Sequence, residues 1–444
     1  MTRPAKTAAA ITSAGLSLLF MVVYGACNWI TAQRSDVGTW YYAWERYIPF
    51  VPLMIIPYMS IDLFFVVGPF LCQKRDELRA FAQRIAFAII VAGAFFLAMP
   101  LQMGITLPQP DGWTGSIFKF LHGFDRPTNL FPSLHITLRT ILADLYARHS
   151  KGVVRVASHV WFSLIGFSTL LTYQHHFVDI VGGFVLATFC FYLFQEGSTR
   201  WPVIPNYRIG VYYTAGSLAA MGLAFTGWPW TSLLLWPALS LGIVAAGYFS
   251  LGPAIYKKTN GTLPLSAKVI LAPCLLGQYV SLLYYRRQCK PWNQVIPRIW
   301  IGTKLSQGEA VEAKHQGVTA VLDLTAEFSE TAAFLGLVYR NVPILDLTRP
   351  NLAQLEEAVG FITQQAVAGT VYVHCKVGYS RTAAVVGAYL LASNHARTSD
   401  QAVTILRTAR PSIVIRPEAH ATLAEFEALM REKDQTNPNS VEAR

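Results

Sequence analysis

Charged residues are scarce in this chain of 444 residues: Asp, Glu, Lys and Arg make up 14% of it, against 53% hydrophobic residues. That balance excludes a chain that is soluble throughout, and the long uncharged apolar runs of the first two-thirds predict a polytopic membrane protein. Acidic charge is scarcest in the same part. Residues 292–444 hold 14 Lys and Arg against 15 Asp and Glu, which leaves 22 against 10 for residues 1–291. The cationic excess accompanies the hydrophobic segments, where short basic loops fix orientation and meet anionic lipid, so no nucleic acid is needed to explain it. The six cysteines (Cys27, Cys72, Cys190, Cys274, Cys289 and Cys375) include no Cys-x-x-Cys pair and form no disulfide framework, which fits a reduced compartment for Cys375. Fixed-period repeats and low-complexity tracts are also missing.

What is present begins with a short basic N-terminus, Met1 to Lys6, and an apolar run to Ile30. The run is long for a signal peptide and has no convincing small-residue cleavage site, so it is read as a first membrane helix with a cytoplasmic N-terminus. Further spans are expected at Tyr47–Leu71, about Ile85–Met103, Leu134–Ala147, Val156–Thr172, Phe177–Phe194, Val211–Phe225 and Ser232–Leu251. The basic loop Gln73–Arg84 and the connector with Arg148, Lys151 and Arg155 mark the cytoplasmic side, which puts the polar loop Gly104–Phe131 on the periplasmic side. After the cationic pair Lys257–Lys258 comes Val269–Tyr285, which contains Pro273 and ends in Arg286–Arg287. It is read as lying in the interface, which keeps everything after it cytoplasmic; a crossing would put the C-terminal part outside.

From Pro291 the composition is that of a soluble α/β domain. Strands are expected at Arg298–Ile301, Ala320–Leu324, Val338–Ile344 and Val371–His374, with helices at Leu352–Gln365, Ser380–Ala392, Ser399–Ala409 and Pro417–Arg431. The stretch V-Y-V-H-C-K-V-G-Y-S-R-T, Val371 to Thr382, carries the chemistry. A strand, a tight turn and a helix start converge backbone N–H groups and a helix dipole into an anion cradle. Cys375 in that cradle is expected to be a thiolate nucleophile, and Arg381 a bidentate phosphate clamp. A lone Cys-x5-Arg is a weak signal, but this one has His374 before it, Gly378 in the turn and Thr382 after it, and the other five cysteines have no Arg at that spacing.

A second constellation lies in the membrane part. Lys119 and Arg126 stand in the periplasmic loop, Pro132-Ser133-Leu134-His135 precedes one helix, and His175 and Asp179 stand at i, i+4 where another begins. Ionisable groups at a membrane edge are functional by default, because burying them is costly. Lys119 and Arg126 can neutralise phosphate oxygens, Asp179 can support a His175 nucleophile, and His135 can protonate a leaving alkoxide. His176 is the competing nucleophile, about 100° away from the Asp179 face.

The runs K-F-L-H-G-F-D-R-P, P-S-L-H and S-T-L-L-T-Y-Q-H-H-F-V-D resemble the three motifs of the type-2 phosphatidic acid phosphatase superfamily, over roughly Met1 to Gln195. The resemblance implies a six-helix core, no metal and a phosphohistidine intermediate. It gives phosphate binding to Lys119, Arg126 and Ser133, acid catalysis to His135, and the nucleophile and its partner to His175 and Asp179. Leu134 stands where the family usually has Gly. Thr169 stands where it usually has a phosphate-binding Arg, as in the phosphosphingolipid synthase branch, so transfer stays open beside hydrolysis.

Residues 292–433 resemble the dual-specificity, cysteine-dependent phosphatases through P-R-I-W-I-G, V-P-I-L-D, H-C-K-V-G-Y-S-R-T and A-R-P-S-I-V-I-R-P. This implies Asp346 as general acid, Thr382 as an aid to phosphocysteine breakdown, and Lys376, Gly378 and Ser380 in the phosphate-binding loop. Asp323 is the rival acid, set in an apolar strand where a structural pairing is expected. The loop H-C-K-x-G-x-S-R is similar to those of mitochondrial phosphatidylglycerophosphate and phosphoinositide phosphatases. With Arg286, Arg287 and Lys290 nearby, it points to phosphorylated lipid headgroups in the membrane, and phosphoproteins are the alternative.

The expected architecture is thus a polytopic α-helical membrane domain (1–197), extra helices and an interfacial linker (198–290), an α/β dual-specificity phosphatase domain (291–433) and a flexible tail (434–444). The expected function is that of a bifunctional inner-membrane phospholipid phosphatase without metal or cofactor, its histidine site periplasmic and its cysteine site cytoplasmic.

Overall fold

The computed structural model describes residues 4–124, 128–197, 202–227 and 230–436, in two compact units, Met1–Gly197 and Ser198–Arg444.

The first unit is helical: α1 (Lys6–Thr31), α2 (Ile55–Leu71), α3 (Arg75–Ala98), α4 (Gly112–Phe124), α5 (Leu134–His149), α6 (Gly152–Leu171) and α7 (Phe177–Leu193). Helix α3 packs against α1, α5 and α7. Its Phe81, Ile85, Ala88, Ile89 and Ala92 recur at helical spacing and are buried, so one apolar stripe serves the core. Gly93 lets α1 come close: a Cβ there would stand 2.7 Å from Val23.

Five stretches among the described residues are long and apolar enough to cross a membrane: Lys6–Thr31, Pro52–Leu71, Arg75–Ala98, Gly152–Leu171 and Thr231–Tyr256. Two expected spans form shorter helices, α5 with 16 residues and α7 with 17.

Two expectations need correcting here. The basic stretch Gln73–Arg84 is not a loop, because α3 already begins at Arg75. Asp76 and Glu77 lie in its first turn, where acids suit the dipole, and Glu77 accepts the Gln73 N–H at 2.7 Å. The stretch Gly104–Phe131 likewise contains α4.

The second unit starts with α8 (Tyr207–Ala224), α9 (Leu235–Ala246), α10 (Leu265–Ile270) and α11 (Ala272–Arg286). The stretch Val269–Tyr285 is broken at Leu271, just before Pro273. A five-stranded sheet follows, in the order β1-β2-β5-β3-β4, made of β1 (Trp292–Ile296), β2 (Ile299–Gly302), β3 (Val318–Thr325), β4 (Val338–Ile344) and β5 (Thr370–His374). Only β1 is antiparallel to its neighbour. The helices between and after the strands are α12 (Gln307–His315), α13 (Ala332–Leu335), α14 (Leu352–Ala366), α15 (Ser380–Ala392), α16 (Ser399–Ala409) and α17 (Pro417–Thr436).

The central strand β5 and the helix that follows it form the middle of the core. Every residue of α15 from Arg381 to Leu391 is buried, with α14, α16 and α17 packed around it. Its run of Ala, Val and Gly provides the small side chains such crowding requires.

Candidate active site

The loop from Cys375 to Tyr379 leaves the C-terminal end of β5, the sheet edge where parallel α/β folds place ligands, and runs into the N-terminus of α15. Gly378 has φ +70°, and a Cβ there would stand 2.6 Å from the Gly302 carbonyl oxygen, so only glycine fits the turn. Cys375 is buried beneath this loop. Burial opposes its ionisation, but Arg381, the Thr382 hydroxyl and the N–H groups of Thr382 and Tyr379 outweigh it and hold the thiol below its ordinary pKa. The Thr382 hydroxyl is itself buried and makes no bond to another oxygen or nitrogen.

Arg381 faces two carboxylates. Its guanidinium meets Glu327 through two bonds of 2.7 and 3.1 Å, reaches Asp346 Oδ1 at 3.3 Å and donates to the Ile344 carbonyl at 2.8 Å. Asp346 lies just past β4, and its Oδ2 is 2.5 Å from Lys376 Nζ. Burial pushes the Asp346 carboxyl up, and Arg381 and then Lys376 more than reverse this, leaving it below the usual carboxylate range. The next residue, Leu347, has φ +60°, a strained conformation for a branched side chain.

Behind the cysteine lies a buried ion network. His374 Nε2 is 2.8 Å from Glu330 and 3.8 Å from Asp323. Burial pushes its pKa down, but Glu330 and Asp323 raise it above the ordinary histidine value. Asp323, Glu330 and His374 bring their ligand-type atoms within 4.8 Å of one another, close enough for a metal. Here the Lys258 ammonium stands 2.5 Å from Asp323 Oδ2 and donates to the Thr325 carbonyl at 3.0 Å. Asp323 also accepts from the Tyr339 hydroxyl at 2.7 Å.

In the first unit the N-termini of α5 and α7 meet. Ser133 caps α5 by accepting the Ile136 N–H, and its own N–H donates to the Asp179 carbonyl at 2.9 Å. His135 stacks on Tyr58 at 4.2 Å. Its Nε2 and the Nδ1 of His175 are buried without hydrogen-bond partners. His175 Nδ1 lies 3.7 Å from Asp179 Oδ2, outside hydrogen-bond reach, and that oxygen accepts the His176 N–H at 2.8 Å.

His176 uses both ring nitrogens: Nδ1 pairs with Glu45 at 2.9 Å, and Nε2 accepts the Gly104 N–H at 3.0 Å. His135 and His175 share a cavity of about 320 Å³ with Tyr58, Asp62, Phe120 and Leu121. No Lys or Arg is among the described residues that line it. Thr169 lies beneath, its carbonyl accepting the Gln174 and His175 N–H groups.

Two comparisons with known families coincide with these two sites. A family model described as "Dual specificity phosphatase, catalytic domain" matches residues 299–428, and one described as "PAP2 superfamily" matches residues 35–193. The human "Phosphatidylglycerophosphatase and protein-tyrosine phosphatase 1" is 37% identical over 172 residues, covering 36% of this chain and 85% of its own. The chain belongs to the dual-specificity phosphatases. Its phosphatase domain is joined to a domain of the PAP2 superfamily.

Two further relatives of the phosphatase domain are similar. Mouse "Dual specificity protein phosphatase 12" is 34% identical over 145 residues, 32% of this chain and 42% of that protein. Arabidopsis thaliana "Phosphatidylglycerophosphate phosphatase PTPMT2" is 26% identical over 180 residues, 39% of this chain and 78% of that protein. The chain thus spans less than half the length of the mouse relative.

The phosphatase domain brings Cys375, Lys376, Gly378, Arg381, Thr382 and Asp346 together. Ser380 opens α15 and lines a neighbouring cleft. The PAP2 domain brings His135, Ser133, His175 and Asp179 together. It does not bring Lys119 to the cavity: Lys119 is exposed on α4 and is not among the lining residues, whereas Leu121 is buried there and Phe120 lines the cavity while staying exposed, since a helix turns successive side chains by about 100°. Arg126 lies outside the described residues.

Several partners were not singled out from the sequence. Glu327 and Glu330 show there only as two acids in T-A-E-F-S-E, and Glu45 precedes its histidine by 131 positions. Lys258, read as the cationic flank of a span, is buried against Asp323.

Proposed function

We propose that the chain is a membrane-bound phospholipid phosphatase whose cysteine site removes a phosphomonoester from a lipid headgroup of the phosphatidylglycerophosphate or phosphoinositide kind. The observation that carries the reading is the buried Cys375 held below its ordinary pKa inside the Arg381 loop, with Asp346 bridging Arg381 and Lys376. The Cys375 thiolate attacks phosphorus, the P–O bond to the headgroup breaks, and Asp346 gives its proton to the leaving oxygen. Water then attacks the phosphocysteine with Asp346 taking its proton. The S–P bond breaks as the Thr382 hydroxyl hydrogen-bonds the departing thiolate.

Asp346 enters this cycle with its carboxyl held low by two cations. A phosphoryl dianion neutralises Arg381 and Lys376, which lets the acid take up the proton it must donate. The lipid substrate is supported by two relatives, from human and Arabidopsis, whose names specify phosphatidylglycerophosphate. It is supported also by a cleft of about 220 Å³ beside Ser380, which carries Arg349 and Arg416. Glu418 lines the same cleft and Arg349 pairs with Glu425 at 3.0 Å, which leaves the Arg416 guanidinium to meet a second anionic group, such as the phosphodiester of a phosphorylated phospholipid. Arg416→Ala is expected to lower kcat/KM about tenfold for a lipid with both a phosphodiester and a phosphomonoester, and to leave a simple aryl phosphate unaffected.

In the PAP2 domain, His175 is the proposed nucleophile toward a lipid phosphate, His135 the acid and Asp179 the partner, with a phosphohistidine released to water or to a second lipid. The His175–Asp179 distance of 3.7 Å has to close when the imidazolium forms. We place the chain in the plasma (inner) membrane, with this site periplasmic and the cysteine site cytoplasmic.

A protein phosphatase is the second reading, favoured by relatives named dual specificity protein phosphatases. A lipid panel run on wild type, Cys375→Ser and His175→Ala decides between them. Phosphomonoester release lost in Cys375→Ser and kept in His175→Ala is expected. Release unaffected by Cys375→Ser, or phosphopeptides cleaved far faster than any lipid, would overturn the proposal.

A further inference from the structure

The segment between the two family domains, residues 202–290, matches neither family model, yet it touches the catalytic machinery directly. Lys376 Nζ has three N–H donors. One goes to Asp346; the others meet Gln278 Oε1 at 3.0 Å and Ser281 Oγ at 3.3 Å. Gln278 and Ser281 stand at i, i+3 on α11, on one face of the helix. One position on, Leu282 is buried against Phe328 and against Val377 of the catalytic loop. A turn later, Arg286 pairs with Glu309 at 2.5 Å.

The acid loop is held from the same segment: the Tyr248 hydroxyl donates to the Asp346 carbonyl at 2.9 Å, and Asn206 Nδ2 donates to the carbonyl of the strained Leu347 at 2.7 Å.

We propose that α11 is a working part of the active site, with Gln278 and Ser281 as positioning residues that keep Lys376 aimed at the phosphoryl group. The inference rests on Cys375–Arg381 being the phosphate-binding loop. The need for it follows from the acid's cycle. When Asp346 takes up a proton it ceases to be an ion-pair partner, and a lysine on a four-carbon stem held by nothing else would lose its direction. Two neutral acceptors on a rigid helix hold the ammonium through that step without competing for its charge. The third donor, which Asp346 holds in the structure, then turns to a phosphoryl oxygen once that acid is protonated. Gln278 and Ser281 both lie before the stretch that the phosphatase family model matches, residues 299–428.

The test measures binding of inorganic phosphate to the full chain in detergent, for wild type, Gln278→Ala/Ser281→Ala, Lys376→Met and the triple variant. The helix pair variant is expected to weaken binding about fivefold. In the Lys376→Met background the same pair should have no further effect, because it acts only through that lysine. The KM for an aryl phosphate should rise in parallel while kcat changes less. An unchanged affinity, or losses that multiply in the triple variant, would overturn the proposal.

If the pair variant does not fold, Ser281→Ala alone serves. About a twofold loss is expected, present only with Lys376 in place, and no loss counts against α11. Turnover by Cys375→Ser would defeat the catalytic reading while leaving this affinity comparison to judge α11 by itself.

Discussion

Arg381 and Lys376 share Asp346 as a partner, and Arg381 holds Glu327 as well. Glu327 fixes the Arg381 fork through two bonds, so its direction is set before any phosphate arrives. The same charge controls Cys375. Arg381 is the leading group that offsets burial of the thiol. The midpoint of Cys375 alkylation against pH should therefore lie below the ordinary thiol value of about 8.5 and rise above it in Arg381→Met.

Asp346 gives a second test with the opposite charge. Lys376 helps to hold its carboxyl low, so Lys376→Met should raise its pKa. The limb of the kcat/KM profile on which activity falls as Asp346 deprotonates should then move to higher pH, and in Asp346→Asn that limb should vanish.

Among the elements, the turn that carries Lys258 is built into the phosphatase fold. Lys258 neutralises Asp323, which in turn faces His374, and the Gly261 carbonyl accepts the Glu330 N–H at 2.7 Å. Lys258→Ala leaves a buried carboxylate without its cation. It should destabilise this unit by about 3–5 kcal/mol, read as a lower thermal midpoint with the fold otherwise intact.

That pairing also shows where sequence reading stops. Strands β4 and β5 and helices α15 and α16 are legible because each is an apolar or amphipathic run with its own ends marked. Helix α16, for instance, starts after Thr398, whose side chain accepts the Gln401 N–H. Strand β1 carries no such signal: its five residues W-N-Q-V-I are only partly buried at an antiparallel edge. Helix α4 reads as loop in the sequence because its Gly and Trp start carries no strong helix signal. Lys258 and Glu327 are invisible for another reason. Their partners lie 65 and 54 positions away, and a cationic pair after an apolar run looks like a membrane flank. The catalytic loop escapes this limit because Cys375, Arg381 and Thr382 lie on one turn of chain.

For the whole molecule, the two candidate sites sit in domains of two families, one built around a cysteine and the other around two histidines. If both act, their activities separate by substitution: His175→Ala should leave cysteine-site turnover intact, and Cys375→Ser should leave histidine-site turnover intact. Sidedness separates them again. In sealed right-side-out vesicles, protease added outside should leave the phosphatase domain whole, and its release would place that domain in the periplasm.

The central claim is that Cys375 acts on a lipid headgroup. The most direct measurement is kcat/KM for phosphatidylglycerophosphate in mixed micelles against a phosphotyrosine peptide, using the purified full chain and its Cys375→Ser variant. The account predicts faster release of phosphate from the lipid, and a loss on the order of a thousandfold or more in the variant. A preference for the peptide, or lipid hydrolysis that survives in Cys375→Ser, would contradict it.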